Sequence, residues 1–175
     1  HRAKEFAAPE IILAQNSVIK KFGVLNVEIP PAAFLQASDA GENILSAAVH
    51  AGARDAKNIT DLFCGAGTFT GVVLDKAQKI YAADFDAGAI HALKKAAQNF
   101  KTIQIEKRNL FKNPLTAQEL SDFDCVIFDP PRAGAKEQSE HLAQSTVARI
   151  IAVSCNPATF ARDARLLIAG GYRLK

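Results

Sequence analysis

Ile59-Thr-Asp-Leu-Phe-Cys-Gly-Ala-Gly67 is an apolar run, broken by one acid, that ends in two closely spaced glycines. The run reads as a buried strand over Ile59 to Phe63, and the residues after it, Thr68 to Gln78, read as a helix. Downstream the same alternation repeats. Ile80 to Asp84 reads as a strand, and Ala87 to Asn99 as a helix with Ile90, Leu93 and Ala97 at helical spacing. Thr102 to Glu106, Cys125 to Asp129 and Ile150 to Val153 follow as strands, with helices at Thr116 to Leu120, Glu137 to Val147 and Pro157 to Ala169. Gly170-Gly171 closes the last helix, and Tyr172 to Lys175 reads as the start of another strand. Strand and helix in alternation define an α/β fold with a doubly wound, mainly parallel sheet, which on this reading is incomplete at the carboxyl terminus.

Upstream the pattern differs. Glu10 to Ala14, Val18 to Phe22 and Val24 to Ile29 are short apolar runs, the last two separated by Gly23, and read as strands or a hairpin. Pro30-Pro31 stops them. Asp39, with Glu42 three residues on, resembles a capping box in front of a helix to about Ala53. The expected division is a β-rich segment over 1–36 and an α/β domain over 37–175.

At 175 residues, with 49% hydrophobic and 22% charged residues, the chain has the composition of an ordinary globular domain. No apolar run reaches membrane-spanning length and the first residues do not read as a signal peptide, so no membrane partner is expected. A net charge of +3 is compatible with a nucleic-acid partner without requiring one. The three cysteines, Cys64, Cys125 and Cys155, are far apart, and no His lies near them at zinc-ligand spacing. Neither a disulfide framework nor a metal within this chain is expected, and a reducing, cytoplasmic setting fits. Beginning at His1 and lacking Met, the sequence reads as a piece of a longer protein.

In an open α/β sheet, ligands bind at the carboxyl ends of the strands. Five features converge on that edge. Gly65 and Gly67 let the backbone turn tightly and approach a ligand, although Thr70 stands where a dinucleotide fingerprint wants its third glycine. Asp84 ends the next strand, where a carboxylate can accept both ribose hydroxyls of NAD or of S-adenosylmethionine. Asn109 follows another strand, and Asp129 ends a later one as Asp129-Pro-Pro-Arg132. Last, Ser154-Cys-Asn-Pro157 puts a thiol between a strand end and a helix, with Asn156 as N-cap and Pro157 at the first helical position. The positive end of a helix favours a thiolate.

Together, Asp61-Leu-Phe-Cys-Gly-Ala-Gly67, Asp129-Pro-Pro-Arg132 and Ser154-Cys-Asn-Pro157 resemble the RNA uridine-5-methyltransferases that use S-adenosylmethionine, and Phe34-Leu-Gln36 is similar to that family's upstream pattern. The resemblance runs from about Phe34 to the end; position 38 is Ser where the family pattern favours Asn. It implies a Rossmann-like class I methyltransferase fold and a ribosomal or transfer RNA substrate. It also implies a cofactor held by Gln36, Gly65, Gly67, Asp84, Asn109 and Asp129. Cys155 is then the nucleophile that adds to carbon 6 of uracil, making carbon 5 able to attack a methyl group. The family's general base is a glutamate beyond the position of Lys175, and its members commonly add an RNA-binding domain, some with an iron-sulfur cluster.

Two other readings stand beside this one. Enzymes that methylate exocyclic amines often carry Asp-Pro-Pro followed by an aromatic, but here the fourth residue is Arg132. Arg132 can bind RNA phosphate, polarise a uracil carbonyl or brace its loop. A cofactor- or RNA-binding module without turnover is the third reading. Cys64 and Cys125 are expected to pack, and Lys94-Lys95 and Lys107-Arg108 to be solvated faces. Arg162 and Arg165 could face a phosphate backbone, with solvated helix charge as the default, and His50, His91 and His141 are expected to be non-catalytic.

Overall fold

A computed structural model describes residues 16–31 and 33–175. The strand expected over Glu10 to Ala14 lies outside the described residues. The chain starts with an antiparallel hairpin, β1 (Ile19–Phe22) and β2 (Leu25–Glu28), in which Phe22 pairs with Leu25 across the turn. Then come α1 (Asp39–Gly52), β3 (Asn58–Leu62), α2 (Thr68–Val73), β4 (Lys79–Asp84), α3 (Ala87–Ala96) and β5 (Ile103–Lys107). The second half supplies α4 (Ala117–Leu120), β6 (Cys125–Phe128), α5 (Lys136–Ala143), β7 (Arg149–Ala152) and α6 (Pro157–Ala169).

β3 to β7 form one sheet in the order β5-β4-β3-β6-β7 with every pair parallel. The order reverses between β3 and β6, which is the switch point where such sheets bind ligands. Because strand side chains alternate, each strand feeds two cores. Ile59, Ile80, Ala82, Cys125 and Ile127 pack with Val49 of α1, Phe69 and Val73 of α2, and Ile90 and Leu93 of α3. Leu62, Tyr81, Ala83, Val126 and Phe128 face Leu120, Leu142 and Leu167 on the other side, from α4, α5 and α6. The hairpin joins the first core through Phe22, Leu25 and Val27, and the Val24 amide donates to the Gly71 carbonyl of α2 at 3.2 Å.

Several boundaries differ from the sequence reading. The cap of α1 is Ser38, whose hydroxyl accepts from the Gly41 amide; Glu42 is buried instead and pairs with Lys20 of β1 at 2.9 Å. α2 ends at Val73 and α5 at Ala143, each short of the expected end. After α2 the chain must turn back, and the amides of Gln78 and Lys79 both donate to the Lys57 carbonyl at the foot of β3. Tyr172 to Lys175 form no strand. The Tyr172 amide instead closes α6 by donating to the Leu167 carbonyl, and its hydroxyl donates to the Val147 carbonyl at 2.8 Å. β7 is an edge strand, and a cavity of about 1090 Å³ runs along it between the end of α1 and α6.

Candidate active site

The loop from Phe63 to Gly67 is held against the end of β4. Amides of Phe63 and Cys64 both donate to the Ala83 carbonyl, at 2.9 and 3.1 Å. Gly65 and Gly67 adopt φ of 52° and 95°, and Phe63, with φ of 66°, is the one non-glycine residue in the left-handed region among the described residues. Such a conformation costs about 1 to 2 kcal/mol. Phe63 is kept in it by ring contacts with Phe111 at 5.4 Å and Phe128 at 6.0 Å. Cys64 and Cys125 are buried, as expected of packing residues, and burial pushes both thiols up.

Asp84 connects the loop to the next strand. Its Oδ2 accepts from the Gly65 amide at 3.0 Å and its Oδ1 from the Asp86 amide at 2.8 Å. A carboxylate offers about four lone-pair positions, so both oxygens keep capacity for a diol. Asn109 lies in the loop after β5, where its Oδ1 accepts from the amides of Phe111 and Lys112. That loop is fixed by Arg108, which is half-buried rather than fully solvated. Its guanidinium donates to Glu119 at 2.7 Å and to the carbonyls of Asn113 and Pro114. The pairing holds the Glu119 carboxyl at about 2. Gln36 is half-buried just ahead of α1.

Asp129 directly follows β6, and burial raises its carboxyl to about 6. A second carboxylate there escaped the sequence reading. Asp61 is fully buried on β3, and its Oδ2 accepts from the Thr70 hydroxyl at 2.5 Å while Oδ1 has no hydrogen-bond partner among the described residues. Burial, opposed by the Thr70 hydrogen bond and reinforced by Asp129 and Asp84, pushes Asp61 up to about 7. An acid inside a strand buried on both faces was the available signal. Two aromatics were also missed: Phe85, 62% exposed directly after Asp84, and Phe111, 43% exposed after Asn109. Exposed rings at the ligand edge of a sheet offer stacking surface for a planar base.

Cys155 is exposed between β7 and α6. Asn156 caps α6 through its Oδ1, which accepts from the Ala158 amide at 3.1 Å, and Pro157 stands at the first helical position. The Asn156 Nδ2 donates to the Arg132 carbonyl at 3.0 Å, so the thiol's turn and the Asp129 loop are bonded together. The Arg132 side chain is exposed and makes no ion pair among the described residues. Arg162 does the bracing, through Asp163 and the Ala133 carbonyl, while Arg165 is exposed. Among the described residues no three His, Cys, Asp or Glu side chains gather where they could hold a metal ion, and no helix is long and apolar enough to cross a membrane.

The parallel sheet, its switch point and this edge define a Rossmann-like fold of the kind that binds a nucleoside cofactor. The tRNA (Uracil-5-)-methyltransferase family model matches residues 11–170, and the chain belongs to that family. It is 44% identical over 169 residues to an uncharacterized RNA methyltransferase of Mesorhizobium japonicum, covering 95% of this chain and 41% of that protein. It is 35% identical over 125 residues to the 23S rRNA (uracil(1939)-C(5))-methyltransferase of Pseudomonas putida, covering 68% of this chain and 27% of that one. Among solved structures it is similar to the Pyrococcus abyssi tRNA (uracil-54, C5)-methyltransferase in complex with S-adenosyl-L-homocysteine. That likeness has a TM-score of 0.76 at 25% identity, over 89% of this chain and 38% of the other. The chain thus spans well under half the length of these relatives.

Proposed function

We propose that this chain is the cofactor-binding and nucleophile-bearing part of an S-adenosylmethionine-dependent enzyme that methylates carbon 5 of a uridine in ribosomal or transfer RNA. The observation that carries the reading is the exposed Cys155 on a capped helix, bonded through Asn156 to the Asp129 loop. Gly65, Gly67, Asp84, Asn109 and Asp129 hold the cofactor at the strand ends, with Gln36 contributing from the segment before α1. The residues fit such a group: a Cβ added at Gly65 would meet nothing within 4 Å, Asp84 keeps free lone pairs, and Phe85 offers an exposed ring. When bound, S-adenosylmethionine supplies an electrophilic methyl group.

The protein's part of the chemistry follows from the poor nucleophilicity of uracil carbon 5. The Cys155 thiolate adds to carbon 6, forming an S–C bond and placing the electron pair of the 5,6 double bond in an enolate. After carbon 5 is methylated, a base takes its proton, the double bond re-forms and the S–C bond breaks, returning the thiolate. The exposed Arg132 binds RNA phosphate or a uracil carbonyl, and a reducing cytoplasm keeps Cys155 a thiol.

The test is made in the full-length protein, with uridine-containing RNA and S-adenosylmethionine, reading 5-methyluridine by mass spectrometry of digested RNA. Cys155→Ala should abolish the product. Methylation of an exocyclic amine that survives Cys155→Ala would establish the amino-directed reading instead. Cofactor binding without methyl transfer by the intact wild-type protein would leave a binding module.

A further inference from the structure

One face of α6 reads the backbone of the loop that follows Asp129. Asn156 Nδ2 and Thr159 Oγ1 both donate to the Arg132 carbonyl, at 3.0 and 3.1 Å. One turn further on, the Arg162 guanidinium donates to the Ala133 carbonyl at 3.0 Å. Asp163, 4% exposed, accepts the Ala135 amide at 2.9 Å and is itself held by Arg162 Nε at 2.8 Å. Positions 156, 159, 162 and 163 share one side of a helix, so successive loop residues are bound by successive side chains. The loop is shaped for this: Gly134 has φ of 67°, and a Cβ there would lie 2.5 Å from both the Arg162 and the Asp163 side chains.

Stability alone does not require this pattern at its amino-terminal end. Asn156 uses its oxygen to cap α6 and its nitrogen to hold the Arg132 carbonyl, so a single planar amide fixes the turn of Cys155 and the Asp129 loop at once. We infer that Asn156 and Thr159 are positioning residues, which set the direction of the Cys155 thiol relative to the loop carrying Asp129 and Arg132. The inference rests on the reading of Cys155 as nucleophile. A small error in the approach of reacting atoms is expensive in rate, whereas the same hydrogen bonds matter little to binding of either substrate.

Asn156→Ser and Thr159→Val, separately and together, test it in the full-length protein. Serine is as good an N-cap as asparagine but cannot cap and reach Arg132 at once, and neither change alters charge. The double variant should melt within about 5 °C of wild type and so remain folded under assay conditions. Its KM for RNA and for S-adenosylmethionine should stay within about twofold of wild type while kcat falls about tenfold or more. Thr159→Ser, which keeps the donor, should retain the wild-type kcat. A second readout is independent of the methylation reading. Cys64 and Cys125 are buried, and following iodoacetamide adducts on the Cys155 peptide by mass spectrometry reads this thiol itself; freeing its turn should speed its alkylation about threefold or more. A double variant with unchanged kcat and unchanged alkylation rate, or a Thr159→Ser protein as impaired as Thr159→Val, overturns the inference. Loss of the alkylation effect counts against the clamp; a wild-type enzyme that makes no 5-methyluridine counts against the proposed function only.

Discussion

The Gly65 amide donates to Asp84 Oδ2 at 3.0 Å, so one carboxylate both shapes the glycine loop and faces the edge where that loop leaves room. Asp84→Ala removes the acceptor for the amides of Gly65 and Asp86 along with any ligand contact. S-adenosylmethionine affinity should fall by more than about tenfold, and stability by about 1 to 2 kcal/mol from two amides left to water or to nothing. Calorimetric titration of both proteins, with urea unfolding of each, separates the two effects. Unchanged affinity in a folded variant removes Asp84 from the cofactor site.

Gly65 and Gly67 should behave differently although both have positive φ. An alanine Cβ at Gly67 would lie 2.5 Å from Leu93 Cδ1 of α3, inside the first core, while one at Gly65 would meet nothing within 4 Å. Gly67→Ala should therefore cost about 2 to 4 kcal/mol, from backbone strain plus overpacking. Gly65→Ala should cost stability only about 1 kcal/mol, from strain, yet weaken the cofactor severalfold by filling its space. Thermal melts and cofactor titrations check the contrast. A Gly67→Ala protein as stable as wild type would refute the packing argument.

The sheet was legible because strand and helix periods alternate clearly from Asn58 onward, and the chemistry-bearing residues mark the strand ends. Segment ends were not. Asp39 and Glu42 have the spacing of a capping box, but Ser38 forms the cap and Glu42 pairs with Lys20 of β1, a partner that no local window contains. Arg108 looked like surface charge for the same reason, its acceptors Asn113, Pro114 and Glu119 being assembled only when the loop folds back. Tyr172 has a strand former's identity, yet its hydroxyl finds the Val147 carbonyl and its amide closes α6. Of the candidate site, the motif residues were readable. The Asp61–Thr70 bond, the exposed rings of Phe85 and Phe111, and the clamp on the Arg132 carbonyl needed the fold to bring them together.

Asp61 makes stability depend on pH. Its carboxyl is pushed up to about 7 from an ordinary 3.8, chiefly by burial, so between those values the folded state keeps a proton that the unfolded state has released. Stability contributed by this group is thus present in acid and lost as pH rises toward 7; Asp129, raised to about 6, acts in the same direction. Asp61→Asn keeps an oxygen for the Thr70 hydroxyl and cannot ionise. Relative to wild type it should be more stable by about 1 to 3 kcal/mol at pH 8, with the gain shrinking as pH falls and disappearing by about pH 4, near the unfolded-state value of 3.8. Urea unfolding at the two pH values measures it. A variant that is equally destabilised at both would mean that Asp61 ionises at no cost.

Cys155 should be separable from the fold altogether. The thiol is exposed, and the cap of α6 is made by Asn156 and Pro157, so Cys155→Ala and Cys155→Ser remove little that packs. Both variants should unfold within about 0.5 kcal/mol of wild type, in line with substitutions at exposed sites, and bind S-adenosylmethionine as tightly. Methyl transfer in the full-length protein should nevertheless fall below detection in both, since a serine hydroxyl is far less ionised than a thiol near neutral pH and adds poorly to carbon 6. Stability by urea, affinity by calorimetry and 5-methyluridine by mass spectrometry give three readings on the same variants. Transfer that persists in Cys155→Ala, with binding and stability intact, would mean that carbon 5 is activated without a covalent bond to this residue.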